Sequence, residues 1–420
     1  MRKFIVLTGL AFLYIIYGIY LAQYNVQIFP EELVAEPPRG FFDYKGVTNV
    51  HTQMSSGSGD LAKVMAAAQE SGLDFISITD LNLFEKPSAL VGYHAGLLVM
   101  IDGEYSYLNS RLLNIGASTS RHLQGVGRSQ VLFADLLSQN SRDPDVGILV
   151  LAHPMRERYR WTGEYPVGLD GLEIVNLKSM WEGAWIKNKI SAIFSLLEFP
   201  FNEELALLRL FEEPEDELRL WDQLNSKRRV IGIAGAGADS KVVIGKARWR
   251  FPSYQTLFSI VRNHVVLRSE MTGSAAGDLD KLSHALREGH FYMSLDILGN
   301  PKGFNALIRQ PKGGTFLMGS HLDYESGLSL EVHLPQTPVV PFETVIFRNG
   351  ERIHVSNQKL THYALVQPGV YRVVVRVIPT LPLPDGKKWI PWIYTNPFYV
   401  GASGLEALGK RTSKPGEGGS

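Results

Sequence analysis

Hydrophobic and polar positions fall into three textures along this chain. After Arg2 and Lys3, the stretch from Phe4 to Ala22 carries no charged residue, and as a helix it would cover roughly 28 Å, close to the thickness of a hydrocarbon core. Tyr20-Leu21-Ala22 puts a large Tyr where a signal-peptidase site needs a small residue, so residues 1–22 read as an uncleaved signal anchor rather than a cleaved leader or a buried core helix. Arg2 and Lys3 would stay cytoplasmic, which predicts a single-pass inner-membrane protein whose body lies in the periplasm or exterior. Residues 23–40 turn polar and contain Pro30, Pro37 and Pro38, the pattern of a linker that holds the body off the bilayer.

From 41 to 302, short apolar runs alternate with helical periodicity. Ser58 or Asp60 can cap a helix through Leu61, Val64, Met65 and Ala68, which Gly72 closes before a buried strand Phe75–Thr79. Further runs occupy 97–101, 112–115, 147–152, 172–175 and 230–234. Repeated β and α units predict a mainly parallel sheet or barrel. Between the last two runs, Ile186, Ile190, Ile193 and Leu197 recur at helical spacing and Leu205 to Leu220 continue the pattern, which reads as a lid or a packed helical hairpin.

The texture changes again near Gly303. Leu328, Leu330, Val332 and Leu334 alternate with polar residues, Asn349-Gly350 separates two β-rich runs as a type I′ hairpin would, and Tyr371, Val373, Val375 and Val377 continue the alternation. A smaller antiparallel β-sandwich-like domain is expected over 303–402, followed by a polar, Gly-rich, disordered tail over 403–420.

Composition narrows the chemistry. The 420 residues contain 42 Lys plus Arg against 42 Asp plus Glu, so no overall basic field would attract nucleic acid. With no cysteine, disulfides, thiolate metal sites and Cys nucleophiles are excluded, and any metal must be held by His, Asp, Glu or water.

Polar residues collect where apolar runs end, the place where β/α folds carry their chemistry. His51 ends Val47–Val50, Asp80 follows Ile78-Thr79, Asp102 and Glu104 follow Met100-Ile101, His153 follows Ala152, and Gly235 to Asp239 follow Ile231–Ala234. Singly, each is more often a structural histidine, a cap or an ion-pair partner. Together, His51, Glu104, His153 and Asp239 form a donor set suited to Zn, Mn, Fe or Mg.

These segments resemble the PHP (polymerase and histidinol phosphatase) superfamily of metal-dependent phosphoesterases. Val47-Thr48-Asn49-Val50-His51-Thr52 with Ser55-Ser56-Gly57 is similar to its opening HxHT and SDG, and Gly72-Leu73-Asp74 through Thr79-Asp80 to its GLD and TDH. Asp102-Gly103-Glu104, Ala152-His153-Pro154, Gly171–Asn176, Gly237-Ala238-Asp239 and Leu286–Tyr292 follow in matching order over about 41 to 300. The later strands, ending in Asn396–Val400, resemble the β domain of a secreted or membrane-anchored branch. The resemblance implies an α/β fold, a PHP-like distorted seven-stranded β/α barrel, with up to three metal ions.

Against that pattern the first HxH histidine is Asn49, the SDG aspartate is Ser56, the TDH histidine is Leu81, and the histidine two residues beyond Asp239 is Lys241. A further expected histidine falls at Arg111. Leu81 has no donor and Lys241 repels a cation, so at most one divalent ion is expected, held by His51, Glu104, His153 and Asp239 with Asn49 as a weak oxygen donor, or none at all. Lys241 and Arg111 are suited to balancing the carboxylates or holding an anionic small-molecule ligand. Two functions follow. One is a membrane-anchored hydrolase of phosphate esters in which Lys241 or Arg111 carries transition-state charge. The other is a catalytically inactive PHP-like protein that binds an envelope component or partner.

Overall fold

The computed structural model describes residues 2–29, 40–83, 87–117, 126–139, 144–244, 247–382 and 387–401. The tail expected over 403–420 and residues 30–39 of the expected linker lie outside them. The chain has a mixed α/β fold built around one large sheet. Helix α1 (Arg2–Ala22) leads to β1 (Phe42–Val50), α2 (Leu61–Glu70), β2 (Phe75–Ile78), β3 (Gly92–His94), β4 (Leu97–Ile101), β5 (Gly103–Tyr107), β6 (Ser110–Ile115) and α3 (Val126–Ser138). Then come β7 (Ile148–Ala152), β8 (Gly171–Asn176), the helices α4 (Leu177–Lys187), α5 (Lys189–Glu198), α6 (Glu203–Arg209) and α7 (Glu215–Asn225), and β9 (Ile231–Ala238). A small ribbon, β10 (Val242–Ile244) and β11 (Ala247–Trp249), precedes α8 (Tyr254–Ile260), β12 (Arg262–Leu267), α9 (Ala275–Glu288) and β13 (Phe291–Ser294).

β1 is central. It runs parallel to β2, with Val47 opposite Ile76, and parallel to β9, with Thr48 opposite Gly235. β2 continues in parallel to β4, and β9 to β8 and β7, whereas β7, β6 and β5 are joined antiparallel. An isolated parallel bridge, Leu81 to Glu104, links β5 back to the segment after β2. β2, β4, β7, β8 and β9 are buried along their whole length, as strands covered on both faces must be. The ends of β1, β2, β7, β8 and β9 are thereby aligned, which positions the polar residues that follow them.

Local chemistry sets the helices. The Asp60 carboxylate accepts from the Lys63 N–H at the start of α2, as expected from sequence, and Gly72 adopts φ +62 just beyond its end. The apolar period over 186–197 does not give one helix: Asn188 caps a new one, its side chain accepting from the Ser191 N–H. Likewise Pro214 separates α6 from α7 in the stretch that continues to Leu220.

The remaining strands are β14 (Asn305–Arg309), β15 (Thr315–Leu317), β16 (His321–Asp323), β17 (Ser329–His333), β18 (Phe342–Arg348), β19 (Glu351–Ser356), β20 (Leu360–Ala364), β21 (Gly369–Val377), β22 (Ile390–Thr395) and β23 (Phe398–Gly401). β15, β14, β17 and β20 form a separate four-stranded sheet. The others continue the large sheet, because β22 pairs antiparallel with β13, Met293 opposite Tyr394. Asn349 and Gly350 both have positive φ between β18 and β19, the type I′ geometry expected there.

Residues 23–29 differ from the expected linker. Val26 and Ile28 are buried, the Ile28 N–H donates to the Leu298 carbonyl at 2.7 Å, and the Val339 N–H donates to the Ile28 carbonyl at 2.9 Å. Burying two β-branched side chains ties this segment onto the body, although the polar residues around them suggested otherwise.

Candidate functional site

The strand ends bring together a buried polar cluster around Glu104. Its Oε2 lies 3.1 Å from His51 Nε2, its Oε1 lies 3.9 Å from His153 Nε2, and the Arg111 Nε, on the neighbouring strand β6, is 3.9 Å from the same Oε1. Burial alone would push the Glu104 carboxyl up. The hydrogen bond and charge of His51, then His153 and Arg111, outweigh it and hold the pKa at about 2. His153 is pushed down to about 4, first by burial and then by Arg156 and Lys178 against the pull of Glu104. At neutral pH His153 is therefore uncharged, and Arg111 is a fixed cation beside Glu104.

Asn49 links this cluster to a second carboxylate. Its Oδ1 is 3.0 Å from His51 Nε2 and its Nδ2 donates to Glu173 Oε1 at 2.7 Å. The Glu173 Oε2 accepts from the His153 backbone N–H at 3.0 Å and lies 3.4 Å from the His153 Nδ1, which also meets Ser179 Oγ at 2.8 Å. Glu173 is fully buried, and burial raises its carboxyl to about 7 against the nearby Asn176 amide and the hydrogen bonds from the His153 N–H and Asn49. Asn49 and His153 both adopt left-handed backbone, φ +58 and +51, a conformation that costs a non-glycine residue energy and here turns both side chains at strand ends. Gly235 is required by the same packing, since a Cβ there would overlap the Glu173 carboxylate.

Two other carboxylates at strand ends are satisfied separately. Asp80 accepts from the Thr52 N–H and hydroxyl, both at 2.7 Å, and from the Ser55 hydroxyl at 2.5 Å. Asp239 accepts from Lys178 Nζ at 2.5 Å. Lys241, expected to balance this aspartate, instead has its Nζ 3.4 Å from the Ser56 carbonyl. Lys178 does the balancing because α4 starts directly after β8 and its first turn faces the end of β9. An aromatic ring stands beside the cluster: the Arg111 and Arg156 guanidinium carbons each lie 4.9 Å from the centroid of the Tyr159 ring.

Glu173, Lys178 and Tyr159 were not singled out from sequence as site residues. A signal existed for Glu173, as the lone carboxylate inside the apolar run Leu172–Val175. None existed for Lys178, whose role depends on the packing of α4.

The donor set does not fit a metal cluster. Among the described residues no group of three or more His, Asp or Glu side chains is arranged to hold an ion, so the shared first shell of His51, Glu104, His153 and Asp239 is not assembled. The reasons are local. His51 Nε2 faces two acceptor oxygens and so carries a proton, Asp239 is occupied by Lys178, Glu104 has Arg111 beside it, and Leu81 contributes only its backbone bridge.

No protein-family model matches the sequence, and no curated protein matches it. Among solved structures, it is similar to a two-domain protein containing a predicted PHP-like metal-dependent phosphoesterase from Bacteroides vulgatus ATCC 8482. The identity is 12%, the TM-score 0.36, and the match covers 86% of this chain and 98% of that chain.

Proposed function

We propose that this is a membrane-anchored protein on a PHP-like barrel frame, its body outside the inner membrane, whose strand-end opening binds an anionic group of the phosphate-ester class with side-chain cations in place of metal ions. One observation carries the reading: each carboxylate at the strand ends already has a protein partner, Asp80 in Thr52 and Ser55, Asp102 in Ser77 and the Gly116 N–H, Glu104 in His51 and Arg111, Glu173 in Asn49, and Asp239 in Lys178. An arriving divalent cation would have to displace Lys178 or face Arg111 at short range, with Coulomb repulsion enhanced by the low dielectric. An oxyanion meets no such obstacle. Arg111 has five N–H donors, of which only some are directed at Glu104 and Ser106, and Lys178 has three. Lys241 would add charge at the Ser56 side of the same opening.

The hydrolase reading retains one support, the approach of Glu104 to His51 and His153 at 3.1 and 3.9 Å. A single experiment separates the two. Full-length protein in detergent is assayed for bound metal, for calorimetric binding of phenyl phosphate with and without a chelator, and for hydrolysis of p-nitrophenyl phosphate and its diester. The anion-binding reading expects little bound metal and phenyl phosphate binding that the chelator leaves unchanged and Arg111→Ala weakens. One ion per chain together with chelator-sensitive hydrolysis would overturn it in favour of a one-metal phosphoesterase.

A further inference from the structure

We propose that the end of α4 and the outer face of α5 form a second membrane contact, a lipid-embedded surface lying beside α1. This rests on reading α1 as a membrane anchor and goes beyond it, because an anchor alone requires no other part of the chain to enter the bilayer.

The two elements are joined directly. The Tyr14 hydroxyl donates to the Leu197 carbonyl at 2.8 Å, the Tyr14 and Phe201 rings meet edge to face with centroids 5.1 Å apart, and Gly18 packs so closely that a Cβ would strike the Phe201 ring. Asn202 Nδ2 donates to the carbonyls of Leu21 and Tyr24 at 3.0 and 3.1 Å, fixing the end of α1 to the same unit.

Depth follows from helix geometry. The apolar segment Lys3–Ala22 has 20 residues, a length that a hydrocarbon core of about 30 Å uses completely. Tyr14 and Gly18 then lie about 12 and 6 Å inside the end of that segment at Ala22. Whatever touches them, here Leu197 and Phe201, lies below the level at which hydrocarbon begins. Amphipathic surface helices sit at about this depth.

The chemistry of the surface agrees. Ile186 and Ile190 are 79% and 70% exposed, and Trp185, Ile193 and Leu197 are exposed with them, at spacings that place the aliphatic positions along one side. Between Lys189 and Glu198, α5 has no charged residue. Glu198 itself is buried and ion-paired with buried Arg209, so it presents no charge to lipid. The Tyr14 hydroxyl donates to a helix carbonyl, the kind of internal partner that a hydrocarbon environment demands. Trp185 and exposed Lys189 are residue types that favour the headgroup level.

The chain's lack of cysteine allows a direct test. Full-length Leu10→Cys, Ile190→Cys, Ile193→Cys and Val366→Cys are each labelled with an environment-sensitive fluorophore and reconstituted in phosphatidylethanolamine–phosphatidylglycerol vesicles. Each label is then exposed to aqueous iodide and, separately, to doxyl-labelled lipid. The proposal expects labels at 190 and 193 to behave like 10, with blue-shifted emission, quenching by doxyl lipid and loss of iodide quenching, and the label at exposed Val366 to do the opposite. Iodide quenching at 190 and 193 with lipid quenching at 10 overturns the second contact and leaves the anchor standing. Protection at 190 and 193 from both quenchers means a protein covers the surface and also overturns it. If the label at 10 is itself quenched only by iodide, the anchor reading falls, and this inference with it.

Discussion

Lys178 places its Nζ 2.5 Å from Oδ2 of Asp239, across 61 residues of sequence. The pair is partly exposed, so its worth in stability is small, but under the proposed function it sets which ion the site accepts. Lys178→Gln should weaken phenyl phosphate binding about fivefold, the equivalent of ~1 kcal/mol, and raise Mn²⁺ affinity, because Asp239 is released. Lys241→Gln should do less on both counts. Calorimetric titration of both variants checks the order, and a larger effect from Lys241 would contradict it.

Asn49 joins His51 to Glu173, so its replacement ought to be felt in stability. Asn49→Ala leaves a fully buried carboxyl oxygen without its donor and should cost about 1–3 kcal/mol in denaturant unfolding. Asn49→Asp should cost more at neutral pH, since it sets a second carboxylate against Glu173, and the excess should shrink on acidification. Equal stability of the two variants at neutral pH would refute this account of the layer.

Two glycines provide a matched comparison. Gly235→Ala forces a methyl group into the Glu173 carboxylate and should destabilise by about 2 kcal/mol or more. Gly183 lies in α4 with nothing within 4 Å of its Cβ position, so Gly183→Ala should be neutral or stabilising by up to about 1 kcal/mol. Thermal denaturation of the pair is sufficient to test this.

Far from the opening, buried His264 lies between Asp43 and Asp296, at 2.9 and 3.0 Å, and stacks on Tyr292. Burial opposes its charge, but Asp296 and Asp43 prevail and lift its pKa to about 9. A folded-state pKa above the unfolded value of about 6.5 gives stability that is complete below that pH and is lost as pH rises through about 9. The loss should be of order 3 kcal/mol, and His264→Gln should be less stable at pH 6 yet show a flatter profile between pH 6.5 and 9. Urea unfolding at several pH values would show whether the two profiles differ in slope.

Features carried by continuous pattern were legible in the sequence. The charge-free run became α1, the run 97–101 is β4 residue for residue, and the Asn-Gly turn lies where the alternation breaks. His51, Glu104 and His153 were legible as neighbours because parallel strands end together. Features set by packing were not. Lys178 reaches Asp239 from the first turn of α4, and Val26 and Ile28, two apolar residues in a polar stretch, bury against elements far away in sequence. From sequence Asn49 reads as a weak oxygen donor to an ion. Its amide is in fact bonded on both sides, which a substitution pattern alone does not reveal.

The pairing of β13 with β22 bears on how the protein is made. β1 has hydrogen-bonding partners more than 200 residues downstream in β12, and β13 waits a further hundred for β22. A chain emerging residue by residue therefore cannot complete its central sheet until nearly all of it has emerged. Until then the apolar edges of β12 and β13 lie open to mispairing, and folding of such long-range topology is slow. Newly made chains should depend on a chaperone that shields exposed strands, and polypeptides truncated before residue 390 should be degraded rather than accumulate as a smaller folded form.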